Sequence, residues 1–135
     1  MHSSNPMNLA EIFDSVSQFH RAFEISEASA PKADIGPADA QLRHRLLAEE
    51  NDEYLQAVSD HNLPEIADAL GDLLYIWAGT VLKHGLQDKM ADVFREIQRS
   101  NMSKLGIDGK PLRREDGKVL KGPHYFPPDL QKIVG

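Results

Sequence analysis

Apolar residues recur every three or four positions through four stretches of this chain, which is the spacing of one face of an α-helix. The pattern predicts a first amphipathic helix over residues 8–26 and a second over 38–59, joined by a loop rich in Ser, Ala and Pro. A third helix is predicted over 65–83, with Gly85 as its stop, and a fourth over 88–105. We therefore predict an all-α fold with a four-helix core.

The second half of the third helix is apolar on nearly every side, in the run LLYIWAGTVL. Such a helix must be covered all round, and a chain of this size has few elements of its own to cover it. A second subunit would supply the missing cover. We therefore expect a homo-oligomer, either a dimer or a dimer of dimers.

The C-terminal segment has a different pattern. Two Asp-Gly pairs, 108–109 and 116–117, favour tight turns, and the second lies between short extended candidates around Leu112 and 119–120. One small hairpin is predicted there, with a short helix near 128–133. The chain is expected to form a single domain over 1–135, with a helical core over about 8–105 and a basic tail over about 106–135.

Composition narrows the class of protein. The chain has 135 residues, 41% of them hydrophobic, and no cysteine, so disulfides and thiolate metal sites are excluded and a cytoplasmic location is expected. The longest apolar run, 73–82, is much shorter than a membrane span. A net charge of −6 and a pI near 5.4 argue against duplex nucleic acid as a partner.

The charge is unevenly placed. Residues 104–124 carry +3, with six basic side chains against three acidic ones, so the remainder of the chain carries −9. An acidic helical body with a basic tail indicates a metal site in one part and an anion-binding segment in the other.

Five acidic residues on the second and third helices are expected to lie close together. Glu50 and Glu53 lie three apart on the second helix, and Asp68 and Asp72 lie four apart on the third, so each pair shares a helix face. If the two helices pack antiparallel, four carboxylates surround one cavity, with Glu49 at its edge. Oxygen ligands alone favour the hard ions Mg²⁺ or Mn²⁺.

Two other interpretations compete with this metal site. The acids could be solvated surface residues, but Asp72 is followed at once by an apolar run, where an unpaired charge would be costly. A carboxylate-bridged di-iron bundle would need Glu-x-x-His pairs, and none of the six histidines has a glutamate three residues before it.

Polar residues on the predicted inner stripe of the fourth helix are candidates for binding substrate. Asn101 and Lys104 suit a phosphate together with a ribose or base edge, although an interhelical hydrogen bond and a snorkelling lysine would explain them equally well. Lys121 of the basic tail is a further candidate. His20 is expected to be a core histidine rather than a ligand.

Three segments, LLAEENDEY, ADALGDLLYIWAG and QRSNMSKLGIDGKPLRREDGKVLKGPHYFPPDL, resemble the MazG-like all-α nucleoside triphosphate pyrophosphohydrolases. This superfamily includes phosphoribosyl-ATP pyrophosphohydrolases and dimeric dUTPases. The resemblance covers about residues 9–133. It implies Mg²⁺-dependent hydrolysis between the α- and β-phosphates, which yields a nucleoside monophosphate and pyrophosphate, and a role in cleansing the nucleotide pool.

The resemblance also implies roles for individual residues. Glu50 and Glu53 would be metal ligands, completed by Asp72 of the third helix, and Glu49 would orient or deprotonate the attacking water. Asn101 and Lys104 would hold the nucleotide.

One position departs from the family pattern. The second motif is usually Glu-x-x-Asp, but the residue three before Asp72 is Ala69. Either Asp68 or Glu65 could replace the missing acid. The rival to an enzyme is a non-catalytic oligomer that binds a nucleotide or a metal.

Overall fold

The computed structural model describes residues 5–135, and within them the fold is all-α, as predicted. The chain divides into two compact units, residues 1–87 (unit 1) and 88–135 (unit 2). The expectation of a single domain stays a prediction. Among the described residues, no helix combines the length and apolar character that a membrane span requires.

Unit 1 contains three helices, α1 (Leu9–Ala22), α2 (Pro37–Ser59) and α3 (Leu63–Lys83). Helix α1 is capped by Asn8, whose side-chain oxygen accepts a hydrogen bond from the backbone N–H of Glu11. Helix α3 is capped in the same way by Asn62, which accepts from the N–H of Glu65. These bonds satisfy backbone donors that the start of a helix leaves unpaired. Helix α1 ends four residues earlier than predicted, because its C-cap Phe23 leaves the helical conformation and Glu24 follows with a φ of 59°.

The core of unit 1 lies where α3 packs between α1 and α2. Its buried apolar side chains come from all three helices: Phe13, Val16, Ala57, Ala69, Ala78, Val81 and Leu82. Helix α3 ends before Gly85, as predicted, and the φ of 66° at this glycine reverses the chain direction. The second subunit expected to cover α3 stays a prediction.

Unit 2 contains α4 (Met90–Met102), an extended tail and the short α5 (Gln131–Val134). In place of a two-stranded hairpin, the tail forms one isolated antiparallel bridge, between Arg113 and Val119. The turn inside the bridge is the predicted Asp-Gly pair: Gly117 has a φ of 86°, and the Asp116 carboxylate accepts the Lys118 N–H at 3.1 Å.

Helical spacing predicts an inward stripe on the fourth helix formed by Met90, Val93, Phe94, Ile97, Asn101 and Leu105, and this prediction is wrong in part. Val93 is buried as expected, but the other buried positions are Glu96 and Ser100, while Phe94 is 66% exposed and Asn101 is exposed. The tail explains this difference, because it supplies polar partners for that face of the helix. Ser100 Oγ donates to the Phe126 carbonyl at 2.8 Å, and the Asp129 N–H donates to Glu96 Oε2 at 2.8 Å.

Candidate functional site

The acids predicted to meet lie on facing parts of α2 and α3, which pack together in unit 1. Glu50 and Asp72 are half-buried, whereas Glu49, Glu53 and Asp68 are exposed at the rim. The apolar run after Asp72 predicts that this residue is at least half-buried, and the structure confirms it. These five residues are called the carboxylate cluster below.

Glu50 is the electrostatic centre of the carboxylate cluster. Burial raises its pKa from 4.5 to about 7, and the adjoining Glu53 carboxylate and the negative charges of Asp72 and Asp68 add to the increase. Glu50 Oε2 is shielded from solvent and has no hydrogen-bond partner among the described residues. A carboxylate oxygen in this position is costly to ionise unless a cation or a donor reaches it.

Asp72 is perturbed in the same direction. Burial is the largest cause of its raised pKa, and the negative charges of Asp68 and Glu53 raise it further. Asp68 thus acts on both half-buried acids, one turn from Asp72 on α3. The position that departs from the family pattern, Ala69, is 2% exposed and belongs to the core. Whether Asp68 or Glu65 replaces the missing acid as a ligand stays a prediction.

The side chains of the carboxylate cluster are of the chemical type that binds a divalent cation. All five groups are carboxylates, which are the ligands of Mg²⁺ and Mn²⁺, and one of them offers a shielded oxygen without a partner. The side chains are not arranged as a finished site, since no three acidic or histidine side chains within residues 5–135 form a ready metal-binding group. Binding would require side-chain rotation at the exposed members, Glu53 and Asp68.

Glu49 stands apart from the half-buried acids. Its side chain is 59% exposed, and the nearest cation is Arg45, one turn earlier on α2, with Arg45 Nε 3.9 Å from Glu49 Oε1. An exposed pair at this distance constrains the side chain only weakly. The role of Glu49 in orienting or deprotonating water stays a prediction.

The predicted substrate-binding residues Asn101, Lys104 and Lys121 all belong to unit 2. Asn101 is exposed at the end of α4, and Lys104 is half-buried just after it. Lys121 Nζ lies 4.8 Å from the centroid of the Tyr125 ring, a cation–π arrangement that holds the ammonium near the surface. Their binding roles stay predictions.

Sequence reasoning missed a group of buried cations in unit 1. Arg43 and Lys83 are 9% and 6% exposed. Arg43 donates to Thr80 Oγ1 and to the Ile76 carbonyl, and Lys83 Nζ lies 3.0 Å from Asp39 Oδ2. A signal was available, because Arg43 falls between apolar residues on the inner side of α2.

His20 belongs to the same region and is 2% exposed, as expected for a core histidine. Its Nδ1 lies 2.8 Å from Glu27 Oε2. Burial lowers the pKa of His20, although Glu27 opposes this effect. Burial therefore favours the neutral ring, in which an Nδ1 proton would be donated to Glu27 Oε2.

A comparison with known protein families agrees with the sequence resemblance. A model of the family described as phosphoribosyl-ATP pyrophosphohydrolase matches residues 16–101. An uncharacterized protein of Acanthamoeba polyphaga mimivirus is 46% identical over 46 residues, which make up 34% of this chain and 18% of that protein. This chain therefore spans less than a fifth of the relative's length.

The crystal structure of a proposed NTP pyrophosphohydrolase from Exiguobacterium sp. 255-15 is similar to 94% of this chain and 92% of its own, with 26% identity and a TM-score of 0.31. The family match carries the assignment, since it covers well over half of the chain and includes the whole carboxylate cluster. The chain belongs to the phosphoribosyl-ATP pyrophosphohydrolase family, within the MazG-like all-α superfamily.

Proposed function

We propose that this protein is a Mg²⁺-dependent nucleotide pyrophosphohydrolase, which cleaves a nucleoside triphosphate between its α- and β-phosphates. The observation that carries the proposal is Glu50, a half-buried carboxylate with a pKa near 7 and other acids around it. Such a cluster is unfavourable by itself and becomes favourable when a cation enters it. Membership of the family supports the choice of reaction.

The proposed roles follow the positions of the side chains. Glu50, Glu53 and Asp72 would hold the ion, with Asp68 as a further ligand from α3. When bound, Mg²⁺ or Mn²⁺ neutralises phosphate charge and lowers the pKa of water. The exposed Glu49 accepts the proton of the attacking water, whose oxygen bonds to the α-phosphorus. The bond from this phosphorus to the bridging oxygen breaks, and that oxygen leaves with pyrophosphate.

A substrate panel tests the reaction. Ribo- and deoxyribonucleoside triphosphates and phosphoribosyl-ATP would be incubated with the protein and Mg²⁺, and pyrophosphate and monophosphate would be measured together. Equal amounts of both products are expected from at least one substrate, and removal of Mg²⁺ with EDTA should stop the reaction. A role in cleansing the nucleotide pool would follow if a non-standard or deoxy nucleotide is preferred.

The alternative is a protein that binds a nucleotide or a metal without turning it over. Metal binding by calorimetry, with no product from any substrate on the panel, would establish this alternative and refute the proposed enzyme.

We also propose that α3 packs against a second copy of the chain. Its exposed leucines, Leu63, Leu70 and Leu74, are 73%, 50% and 45% exposed and lie seven and four residues apart on one helix face. A continuous apolar stripe of this kind typically marks an interface.

The change Leu70→Glu should therefore convert a dimer or tetramer into a smaller species, because it places a charge in the apolar contact. Sedimentation velocity or light scattering would measure the mass. The control Leu120→Glu makes the same change at a leucine that is 40% exposed in unit 2, and it should leave the mass unaltered. A monomeric wild-type protein would refute the proposed interface.

A further inference from the structure

A groove of about 420 Å³ lies between α4 and α5 of unit 2 and shares no residue with the carboxylate cluster. Its volume is within the usual range of small-molecule sites. Four cationic and two acidic side chains line it, so the groove carries a net charge of +2 in a chain whose net charge is −6. These residues are Lys89, Arg95, Arg99 and Lys132, with Asp92 and Glu96.

The two acids of the groove are occupied by donors. Glu96 Oε1 accepts from Arg99 Nε at 2.9 Å, and Oε2 accepts from Arg99 Nη2 at 3.1 Å and from the Asp129 N–H at 2.8 Å. Asp92 Oδ1 accepts from Arg95 Nη1 at 2.8 Å. Because these carboxylates already have cationic partners, they repel an incoming anion less than free carboxylates would.

The two arginines keep donors available for such an anion. The Arg99 guanidinium is held by Glu96 and by the face of the Phe126 ring, 4.4 Å from its centroid, and its Nη1 makes no hydrogen bond within residues 5–135. In the same part of the chain, Nε and Nη2 of Arg95 are unbonded. An arginine that is already held in place loses little conformational entropy when it binds a ligand.

Lys89 adds a charge that has no partner. It is half-buried at the start of α4, and its ammonium makes no ion pair or hydrogen bond with the described residues. A cation in this situation is less well hydrated than one on the open surface, and an anion beside it would compensate for the lost hydration.

The spacing of the cations indicates the shape of the ligand. Lys89 and Arg99 are ten residues apart along α4, which is a rise of roughly 15 Å, and Arg95 lies between them. Such a distance exceeds the size of a single phosphate and suits several anionic groups in a row. The groove has only one apolar lining residue, Ile133, so it offers little surface to a nucleobase or to apolar peptide side chains.

We propose that this groove binds a linear oligophosphate, an anion with two or more linked phosphate groups. Arginine N–H groups match phosphate oxygens in geometry, and lysine supplies a compact positive charge. The proposal does not depend on the proposed hydrolysis, because the groove contains none of the candidate residues of that reaction, including Asn101, Lys104 and Lys121.

The first measurement is calorimetry on the full chain in EDTA, with inorganic tripolyphosphate, pyrophosphate and phosphate as probes. Tripolyphosphate should bind with a single stoichiometric site and at least about tenfold more tightly than phosphate, because it spans more of the cations. Absence of tripolyphosphate binding would overturn the proposal. Equally tight binding of a short oligoglutamate peptide would also overturn it, since the groove would then recognise acidic peptides rather than phosphates.

A matched pair of charge reversals locates the site. Lys89→Glu should weaken tripolyphosphate binding at least about tenfold, and an acid at the start of α4 is compatible with the helix dipole. Lys110→Glu makes the same change in net charge at an exposed lysine of unit 2 outside the groove. At about 0.15 M salt, which screens charges more than roughly 8 Å apart, the control should change binding by less than about twofold.

Arg95→Gln provides a second groove variant if Lys89→Glu does not fold, because Arg95 is exposed and its removal leaves the Glu96 pair intact. It should weaken tripolyphosphate binding by about fivefold. Equal affinities in the groove variants and in Lys110→Glu would overturn the groove as the site.

The outcomes separate this proposal from the proposed function. Tripolyphosphate binding that is lost in Lys89→Glu, with no hydrolysis of any triphosphate, would retain the oligophosphate site and refute the enzyme. Hydrolysis of triphosphates without any binding of tripolyphosphate to the groove would retain the enzyme and refute the oligophosphate site.

Discussion

The half-buried Glu50 of unit 1 has other carboxylates beside it, whereas the buried Glu96 of unit 2 is enclosed by donors and cations. Arg99 donates to both oxygens of Glu96 at 2.9 and 3.1 Å, the Asp129 N–H donates at 2.8 Å, and Lys132 Nζ lies at 3.9 Å. The pKa of Glu50 is raised to about 7, mainly by burial, and that of Glu96 is lowered to about 2, mainly by Arg99.

The net charges of the two units show the same contrast, since unit 1 is acidic and unit 2 is basic. Unit 1 has 14 acidic and five basic residues, a net charge of −9, and unit 2 has seven acidic and ten basic residues, a net charge of +3. One residue type thus serves two purposes. The paired Glu96 fixes the tail to α4, while Glu50, whose Oε2 has no hydrogen-bond partner among the described residues, is proposed to hold a cation.

The largest expected effect is on turnover in unit 1. Glu53→Gln should reduce both Mg²⁺ affinity and pyrophosphate release by about 100-fold or more, because an amide is a weaker ligand than a carboxylate. Glu49→Gln should reduce turnover while leaving Mg²⁺ affinity within about threefold, because the proposed role of Glu49 is proton acceptance.

Calorimetry with Mg²⁺ and a pyrophosphate assay would measure the two quantities for each variant. Equal losses of metal affinity in both would contradict the division of roles between ligand and base. Unchanged turnover in Glu53→Gln would remove the contrast between a functional acid cluster in unit 1 and a structural acid in unit 2.

The next effect is on the stability of unit 2. Glu96→Gln should lower the unfolding midpoint at pH 7 by several degrees, because it removes a buried charge that Arg99 and Lys132 neutralise. Asp92→Asn is the matched control on α4. Asp92 also pairs with an arginine three residues later, Arg95, at 2.8 Å, but both side chains are exposed, so little change is expected.

The pH dependence of Glu96→Gln sharpens this prediction. Since the folded pKa of Glu96 lies below its usual value of 4.5, its contribution to stability is complete above about pH 4.5 and is lost as the pH falls through about 2. The difference between wild type and variant should follow the same course in thermal unfolding. Equal midpoints for Glu96→Gln and Asp92→Asn at pH 7 would show that burial adds nothing to the pair.

The contrast between the units also shows which features the sequence predicts. The bounds of α2 and α3 were predicted to within two residues, because the 3.6-residue period and the Asn62-Leu63-Pro64 start are local signals. The buried face of α4 was not. Periodicity favours Phe94 over Glu96, and Glu96 is buried only because the Asp129 N–H and Lys132 reach it from more than 30 residues away.

In the candidate site, too, some features follow from local sequence signals and others depend on contacts between distant residues. The spacing of Glu50 and Glu53 on α2, and of Asp68 and Asp72 on α3, predicts that each pair shares one helix face. Whether Asp68 or Glu65 replaces the missing acid depends on how α3 packs on α2, which the sequence does not contain. The buried polar group of Arg43, Lys83 and His20 likewise depends on three helices and on a loop residue, Glu27, that pairs with His20.

The smallest expected effect concerns the stability of unit 1 without metal. Because the folded pKa of Glu50 is raised from 4.5 to about 7, the folded state holds its proton more tightly than the unfolded state does. The wild type should therefore lose stability as the pH rises from about 4.5 to 7, the opposite sign to Glu96. Glu50→Gln removes this loss. The variant should be more stable than the wild type in EDTA at pH 8, by roughly 1 kcal/mol after solvent screening.

Urea unfolding of the two proteins at pH 5 and pH 8, in EDTA and in Mg²⁺, would measure the effect. In EDTA the variant's advantage should be small at pH 5 and largest at pH 8. In Mg²⁺ it should shrink or reverse, because the ion stabilises only the protein that retains the Glu50 carboxylate. The exposed Glu49→Gln should show no such dependence. If Glu50→Gln is less stable than the wild type in EDTA at pH 8, Glu50 is a paired structural acid like Glu96, and the cluster does not require a cation.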